Sequence, residues 1–141
     1  MEIIKIGKKE VKLDENLLRF NETTLNDFYK TFGGIYNEYV QAAADATYLA
    51  SCMEDIYDQT YSAKFQIFKY DGNTDKMSEC KARTDADVKE ALENMRIAKR
   101  NSMAITNFVR SLDKTYESSK ELSYNLRKEL DKLYPYLKET V

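Results

Sequence analysis

A cluster of basic residues in the second half of the chain most directly suggests a binding chemistry. Between Asn94 and Leu112 there are four basic residues and no acidic one, and a fifth basic residue follows shortly. These residues are Arg96, Lys99, Arg100, Arg110 and Lys114. Arginine suits phosphate because its planar guanidinium presents several donors together. Cations that follow a backbone, with aromatic rings on which bases stack, are typical of single-strand binding. The sequence therefore predicts a nucleic-acid-binding surface made of these five residues with Tyr57 and Tyr61.

The same cluster has a second interpretation. If the chain folds back on itself near residue 77, Glu54, Asp55 and Asp58 face the stretch 96–100, and the charges join one helix to another as flanking charges do in coiled coils. The net charge of −2, from 22 basic and 24 acidic residues, gives no overall signal for nucleic acid. Binding then depends on charges that cluster on one face. Both interpretations stay open at this point.

Other chemistries find little support in the sequence. Asp71, Asn73 and Asp75 resemble the opening of a calcium loop, but Lys76 stands where such a loop needs glycine and Ala82 where it needs glutamate. The chain has no histidine, the commonest general base and metal ligand. It also has no glycine-rich phosphate loop and no nucleophile elbow. We therefore expect no catalytic residue, no metal, no cofactor and no small-molecule substrate.

Two long helices must position the basic cluster, and the first is predicted over residues 24–70. Apolar and small residues recur there at alternating steps of three and four, the spacing of a helix that packs along its whole length. This first heptad stripe comprises Leu25, Phe28, Phe32, Ile35, Tyr39, Ala42, Ala46, Leu49, Met53, Ile56, Thr60, Ala63, Ile67 and Tyr70. Thr24 is predicted as the N-cap, with Asp27 completing a capping box.

The second helix is predicted over residues 85–134, with Thr84 as its N-cap and Pro135 at its end. Its heptad stripe comprises Met95, Ala98, Ser102, Ile105, Val109, Leu112, Tyr116, Ser119, Ser123, Leu126, Leu130, Leu133 and Leu137. Residues 71–84 are predicted as the connecting loop. The sequence thus predicts an all-α fold, a long antiparallel two-helix hairpin resembling a coiled coil. A bend near Met77 places Phe32 opposite Ser123 and Met53 opposite Ser102.

The remaining segments are short, and the 141 residues are enough for one domain. Residues 1–20 form an N-terminal appendage, in which β-branched residues around Gly7 indicate a small hairpin over Glu2–Leu13. Residues 135–141 are a tail. Cys52 and Cys80 are expected to be free thiols in a reducing cytoplasm. No apolar run approaches the roughly 18 residues of a membrane span, so no membrane partner is expected.

Many aromatic residues lie off the two stripes. They include Tyr29, Tyr36, Tyr48, Tyr57, Tyr61, Phe65, Phe68, Phe108, Tyr124, Tyr134 and Tyr136. Isolated aromatic residues are common on protein surfaces, but this many on a two-helix rod indicate a second apolar face. The economical way to cover it is self-association, so the chain itself is the first predicted partner.

The two predicted helices are joined by the segment Ser78-Glu79-Cys80-Lys81-Ala82-Arg83-Thr84-Asp85-Ala86-Asp87-Val88. Its short turn and its Thr-Asp-x-x-Val helix start resemble those of UvsY-like phage recombination mediators. A leucine-rich, arginine-containing tail follows at similar spacing. The resemblance covers residues 25–133 in plan and about eleven residues in detail.

The resemblance implies a ring-forming helical protein that binds single-stranded DNA and helps to load a recombinase. It also implies that the basic stretch faces DNA and that a leucine-rich end holds the oligomer. The leucines concerned are Leu122, Leu126, Leu130, Leu133 and Leu137. The alternative is a structural or assembly protein, such as a virion or scaffold component, that acts only through contacts between helices.

Overall fold

A computed structural model describes residues 2–21 and 24–133 of the chain. Three helices, α1 (Leu25–Tyr70), α2 (Asp75–Thr84) and α3 (Ala86–Leu133), make up most of it. Two strands, β1 (Glu2–Ile6) and β2 (Lys9–Leu13), and a short 3-10 helix, Glu15–Leu18, precede them. The prediction of a mainly helical chain with a small N-terminal hairpin is confirmed. Residue 134, the predicted tail 135–141 and Leu137 lie outside the described residues.

Helix α1 has 46 residues and helix α3 has 48, so each is roughly 70 Å long. Their contacts run in opposite directions along the two helices. The ring of Phe32 stacks on that of Tyr116 at 4.9 Å, and the hydroxyls of Thr47 and Ser102 lie 3.0 Å apart. Further along, Lys64 Nζ lies 3.6 Å from a carboxylate oxygen of Asp85.

The predicted register between the long helices is wrong by about two helical turns. Phe32 lies against Tyr116 instead of Ser123, and Ser102 lies against Thr47 instead of Met53. The prediction assumed one loop over residues 71–84, bent at Met77. Residues 75–84 form helix α2 instead, which packs against α1, and α3 begins only at Ala86. The last turns of α1 therefore contact α2 and extend past the start of α3.

Of the two predicted caps, Thr84 is wrong, and Thr24 has the predicted position without the predicted side-chain bond. Thr84 is the last residue of α2, and Asp85 caps α3 by accepting hydrogen bonds from Asp87 N at 2.9 Å and Val88 N at 3.3 Å. A carboxylate is favoured there because the helix N-terminus carries unsatisfied N–H groups and a positive partial charge. Thr24 is the N-cap residue of α1, as predicted, but its Oγ1 accepts from Asn21 N at 2.8 Å and makes no bond to the N–H groups of the first turn.

The second heptad stripe, on α3, is packed as predicted over most of its described length. Ala98, Ile105, Leu112 and Ser119 are buried, at intervals of seven. The hydroxyl of Ser119 donates to Tyr116 O at 2.6 Å, which satisfies a buried polar group within its own helix. Leu126 is half-buried, and the stripe becomes exposed at Leu130.

The first heptad stripe is packed only along its first half. Leu25 and Ala46 are buried, but Ile56, Ile67 and Tyr70 are exposed, the last to 92%. In the second half, Met53 and Thr60 stay half-buried, but a row one position further along is buried or half-buried throughout: Ala50, Tyr57, Tyr61, Lys64 and Phe68. A straight helix drifts by about 20° per heptad against a strict seven-residue repeat. Over this length the stripe leaves the contact face, so the prediction of packing throughout is wrong here.

The hairpin of β1 and β2 lies across the middle of the long helices. Its two-residue turn begins at Gly7, whose φ of 61° is favourable only for glycine. Ile4, Ile6 and Leu13 point inward and form one buried cluster with Ala46, Ile105, Phe108 and Leu112. Each outer edge of the sheet is tied to a helix: Asn101 Nδ2 donates to Lys5 O at 3.1 Å, and the Tyr39 hydroxyl donates to Lys12 O. The helices thereby stabilise a hairpin that would be marginal alone.

Cys52 is half-buried and Cys80 exposed, and both are free thiols. Among the described helices, none has the length and apolar character needed to cross a bilayer.

Candidate nucleic-acid interface

The outer face of α3 carries most of the predicted cations. At 3.6 residues per turn, positions 96, 100, 103, 107, 110 and 114 lie on one face, opposite the buried stripe of Ala98, Ile105 and Leu112. Arg96, Arg100, Arg110 and Lys114 are all exposed there. Met103, 65% exposed, and Asn107 fill the interval between the two arginine groups. We call this surface, from Arg96 to Lys114, the basic face.

Of the three acidic residues expected opposite the basic face, Glu54, Asp55 and Asp58, one forms an ion pair with it. Lys99, at its edge, pairs with Glu54 of α1 at 3.3 Å. No ion pair among residues 2–21 and 24–133 involves Arg96, Arg100, Arg110 or Lys114. Asp55 and Asp58 likewise form no ion pair with the described part of the chain. The helix-to-helix interpretation therefore accounts for one of the five cations.

A shallow groove adjoins the basic face. It is lined by Lys99, Met103 and Arg110 of α3, by polar residues between them, and by Ala50 of α1. Ala50 is buried there, and Lys99 and Arg110 are the two cations that line the groove. The groove gives one flank of the basic face a concave surface.

The two predicted stacking tyrosines lie away from this face. Tyr57 and Tyr61 are half-buried, with ring centroids 6.4 Å apart, and Phe65 continues the row at a further 6.4 Å. The ion pairs Glu54–Lys99 and Lys64–Asp87 bracket them. Tyr57 and Tyr61 therefore lie beside residues 87–99 of α3. Most of this stretch precedes Arg96, the first arginine of the basic face.

A larger aromatic cluster at the other end of the helical pair was not recognised from the sequence. Phe28, Phe32 and Tyr36 follow one another on α1 with centroids 5.1 and 5.4 Å apart, and Tyr116 of α3 stacks on Phe32. Lys120 Nζ lies 4.5 Å from the Tyr116 centroid. The spacing of four residues between the α1 aromatics was the available signal. A hydrogen bond with Asp113 raises the pKa of the Tyr36 hydroxyl.

The leucines implied as oligomer contacts become steadily more exposed along α3. Leu122 and Leu126 are half-buried, Leu130 is 56% exposed and Leu133 is 68% exposed. The end of α3 extends beyond the start of α1, so no other long helix in the described chain covers it. This leucine end, Leu122–Leu133, presents unpartnered apolar surface.

The residues considered for calcium serve the turn after α1 instead. Asn73 Nδ2 donates to Phe68 O at 2.8 Å, its Oδ1 accepts from Lys81 at 2.9 Å, and Asp75 pairs with Lys69. Among the described residues, no three Asp, Glu or Cys side chains are grouped as a metal would require.

Asp85 and Asp87 flank one lysine at the start of α3. Lys64 Nζ lies 3.1 Å from Asp87 and 3.6 Å from Asp85, and joins α1 to α3. The hydrogen bond with Asp87 and the two negative charges raise the pKa of Lys64. This pair of carboxylates is therefore engaged in holding two helices together.

Comparisons of the chain with protein-family models, with curated proteins and with solved structures found no match. The resemblance to UvsY-like mediators stays a prediction.

Proposed function

We propose that the chain is a self-associating antiparallel helical hairpin that binds single-stranded DNA along the basic face of α3. In this proposal it acts in the cytoplasm of a bacterial host as a phage-type recombination mediator that helps to load a recombinase. One observation carries the proposal: Arg96, Arg100, Arg110 and Lys114 share an exposed helix face and form no ion pair with the described chain.

Cations without an internal partner suit a nucleic-acid backbone. They need not break an ion pair before they contact phosphate, and their binding to a strand releases condensed counterions. The basic face extends about 27 Å along α3, from residue 96 to residue 114. At its centre, Asn107 is the one side chain with an amide that can read a base edge, and one amide is too few to specify a sequence. We therefore propose binding that depends on the backbone and shows little sequence preference.

The leucine end supports self-association in this proposal. Leu130 and Leu133 expose apolar surface on the same helix as the basic face, about four to five turns beyond it. Contact between leucine ends of several copies would bring several basic faces to one strand. Linked weak sites bind with an avidity that exceeds the affinity of each one.

A titration with labelled oligothymidine at two salt concentrations tests the proposal. Four phosphate contacts predict a logarithmic salt slope of about −3 for a single strand, and an affinity about 50-fold lower at 200 mM than at 50 mM salt. Arg96→Glu with Arg100→Glu should abolish measurable binding, because it removes two contacts and adds two repelling charges. The helical content should stay unchanged, since both side chains are exposed.

A matched control separates the basic face from net charge. Lys30→Glu with Lys76→Glu changes the net charge by the same amount at exposed residues away from the basic face, and neither lysine pairs with a described residue. This variant should keep the salt slope of DNA binding and lose little affinity for the oligothymidine. Absence of binding by the unmodified protein at 50 mM salt, or equal losses in the two variants, would contradict the proposal.

The exposed leucine end also favours a second candidate, a structural protein that acts only through contacts between copies. Leu130→Lys with Leu133→Lys distinguishes the two candidates when mass in solution and DNA binding are measured together. Under the mediator proposal, smaller assemblies should bind single strands more weakly. Under the structural alternative, assembly changes and no DNA binding exists at any salt concentration.

A further inference from the structure

The second half of α1 carries an uncharged ridge whose side chains are mostly exposed. Ile56 and Tyr70 are exposed to 46 and 92%, and Cys52 at the start of the ridge is half-buried. The ridge follows a strict heptad spacing of four, three, four, three and four residues. Its members are Cys52, Ile56, Gln59, Ala63, Gln66 and Tyr70. We call this surface, about 27 Å long, the α1 ridge.

The α1 ridge faces away from both other helices. The side of α1 that contacts α2 and α3 bears Ala50, Tyr57, Lys64 and Phe68, which lie roughly 130° around the helix from the ridge. A heptad stripe of this length without a charged member suits a helix with a matching uncharged stripe as its partner. The two flanks of the ridge differ. One bears Met53, Thr60 and Ile67, and the other bears Asp55, Ser62 and Lys69.

We propose that the α1 ridge is a dimer interface, on which the same ridge of a second copy packs in antiparallel orientation. The two-fold axis passes near Tyr61. Cys52 then lies opposite Tyr70 of the second copy, Ile56 opposite Gln66, and Gln59 opposite Ala63. Small residues meet large ones at the ends of the ridge and amides meet smaller groups at its centre, as interdigitated packing requires.

Charge complementarity decides the occupant and its direction. In the antiparallel arrangement the flanks bring Asp55 of each copy to Lys69 of the other, and leave Ser62 beside Ser62. These are the only two charges on the flanks of the ridge, so both are matched. In a parallel pair, Asp55 would lie beside residue 53 or 60 of the second copy, neither of which is charged. Flanking charges of this kind set orientation in coiled coils.

Both charged residues are placed to make the contact. Asp55 is exposed and forms no ion pair with the described residues. Lys69 pairs with Asp75 but keeps 46% of its side chain exposed, so it can approach a second carboxylate. The interface is separate from the leucine end of α3 and from the basic face, and it does not depend on DNA binding.

Disulfide trapping tests the pairing directly. In a Cys80→Ser background, Tyr70→Cys places a thiol opposite Cys52 of the second copy. Residues 52 and 70 of one chain are about 27 Å apart along the helix, so a disulfide between them can form only between copies. Mild oxidation should convert most of the protein into a covalent dimer that reductant reverses. Asp58→Cys in the same background, on another face of α1, should give little dimer.

Each alternative arrangement has its own signature. A slipped antiparallel pair would trap Ala63→Cys with Cys52 in place of Tyr70→Cys, and a parallel pair would join Cys52 to Cys52 in the Cys80→Ser protein without further change. Either result overturns the proposed register. If Tyr70→Cys yields no more dimer than Asp58→Cys, the α1 ridge is not the interface.

A second measurement avoids any dependence on cysteine chemistry. Asp55→Lys turns both flank contacts into repulsions and should raise the dimer dissociation constant on the order of tenfold in sedimentation experiments. Asp58→Lys makes the same change of charge on the same helix and should leave the constant unchanged. Equal behaviour of the two variants, or a monomer at all concentrations of the unmodified protein, would refute the proposal.

Discussion

The middle of the molecule and the second half of α1 are built from similar residues but are covered very differently. In the middle, Ile105 and Leu112 of α3 are enclosed by α1, by their own helix and by the β-hairpin, and are exposed to 0 and 1%. In the second half of α1, Ile56 and Ile67 have the same apolar character and are about half exposed. The middle of the helical pair therefore supplies burial that stabilises the fold, whereas the second half of α1 leaves apolar side chains uncovered.

A matched pair of substitutions tests this comparison most strongly. Ile105→Ala should lower the free energy of unfolding by about 2–5 kcal/mol, because it removes buried methyl groups and leaves a cavity. Ile67→Ala should change it by no more than about 0.5 kcal/mol in the monomer, because the side chain is 52% exposed. Urea unfolding at low protein concentration measures both. Similar losses in the two variants would show that the second half of α1 is covered in solution.

A smaller effect concerns the tie between the hairpin and α3. Asn101→Ala removes the hydrogen bond to Lys5 O and should cost about 0.5–1.5 kcal/mol. Amide exchange of β1 and β2 should rise more than that of α3. If the hairpin amides keep their protection, apolar burial alone holds the hairpin on the helices.

The smallest effect is expected at Lys64, at the far end of the helical pair. Its pKa is raised in the folded chain, so its contribution to stability is complete below the ordinary lysine pKa of about 10.4 and is lost as pH rises through the folded value. When the pH is raised from 8 to 11.5, the free energy of unfolding should therefore fall less in Lys64→Met than in the unmodified protein. Urea unfolding midpoints at each pH measure this difference.

The unmodified protein and Lys64→Met share another alkaline effect, which comes from two tyrosines in the middle of the molecule. Burial raises the pKa of Tyr39, and the bond with Asp113 raises that of Tyr36, so both tyrosines also favour folding at neutral pH and lose this effect in alkali. Their contribution is common to both proteins and cancels in the difference. An identical alkaline loss in the two proteins would mean that Lys64 adds nothing measurable.

Much of the fold could be predicted because it depends on local spacing. The bounds of α1, predicted as 24–70 and found as Leu25–Tyr70, follow from a turn sequence and an unbroken apolar repeat. The α3 stripe from Ala98 to Ser119 is packed as the repeat indicates. The hairpin over Glu2–Leu13 follows from β-branched residues around Gly7. In each case the prediction rests on residues that are close together in the sequence.

What could not be predicted depends on contacts that are distant in sequence. Helix α2 contains few apolar residues. It packs through the small residues Ser78 and Ala82, and its Lys81 contacts both Asn73 and the Phe68 ring. That helix displaced the register and made Asp85, instead of Thr84, the cap of α3. The drift of α1 against a heptad repeat then moved Tyr57 and Tyr61 toward the contact face. For the candidate site, the positions of the cations followed from helix periodicity, but their lack of partners did not.

The two side chains that hold the β-hairpin have a consequence for solubility at high concentration. A two-stranded sheet has two open edges, and open edges template the addition of further strands, which leads to aggregation. Here the Asn101 amide occupies a carbonyl on one edge and the Tyr39 hydroxyl a carbonyl on the other. Lys5, Lys9 and Lys12 add like charges along the short strands. A chain proposed to assemble through its helices thus discourages uncontrolled growth through its sheet.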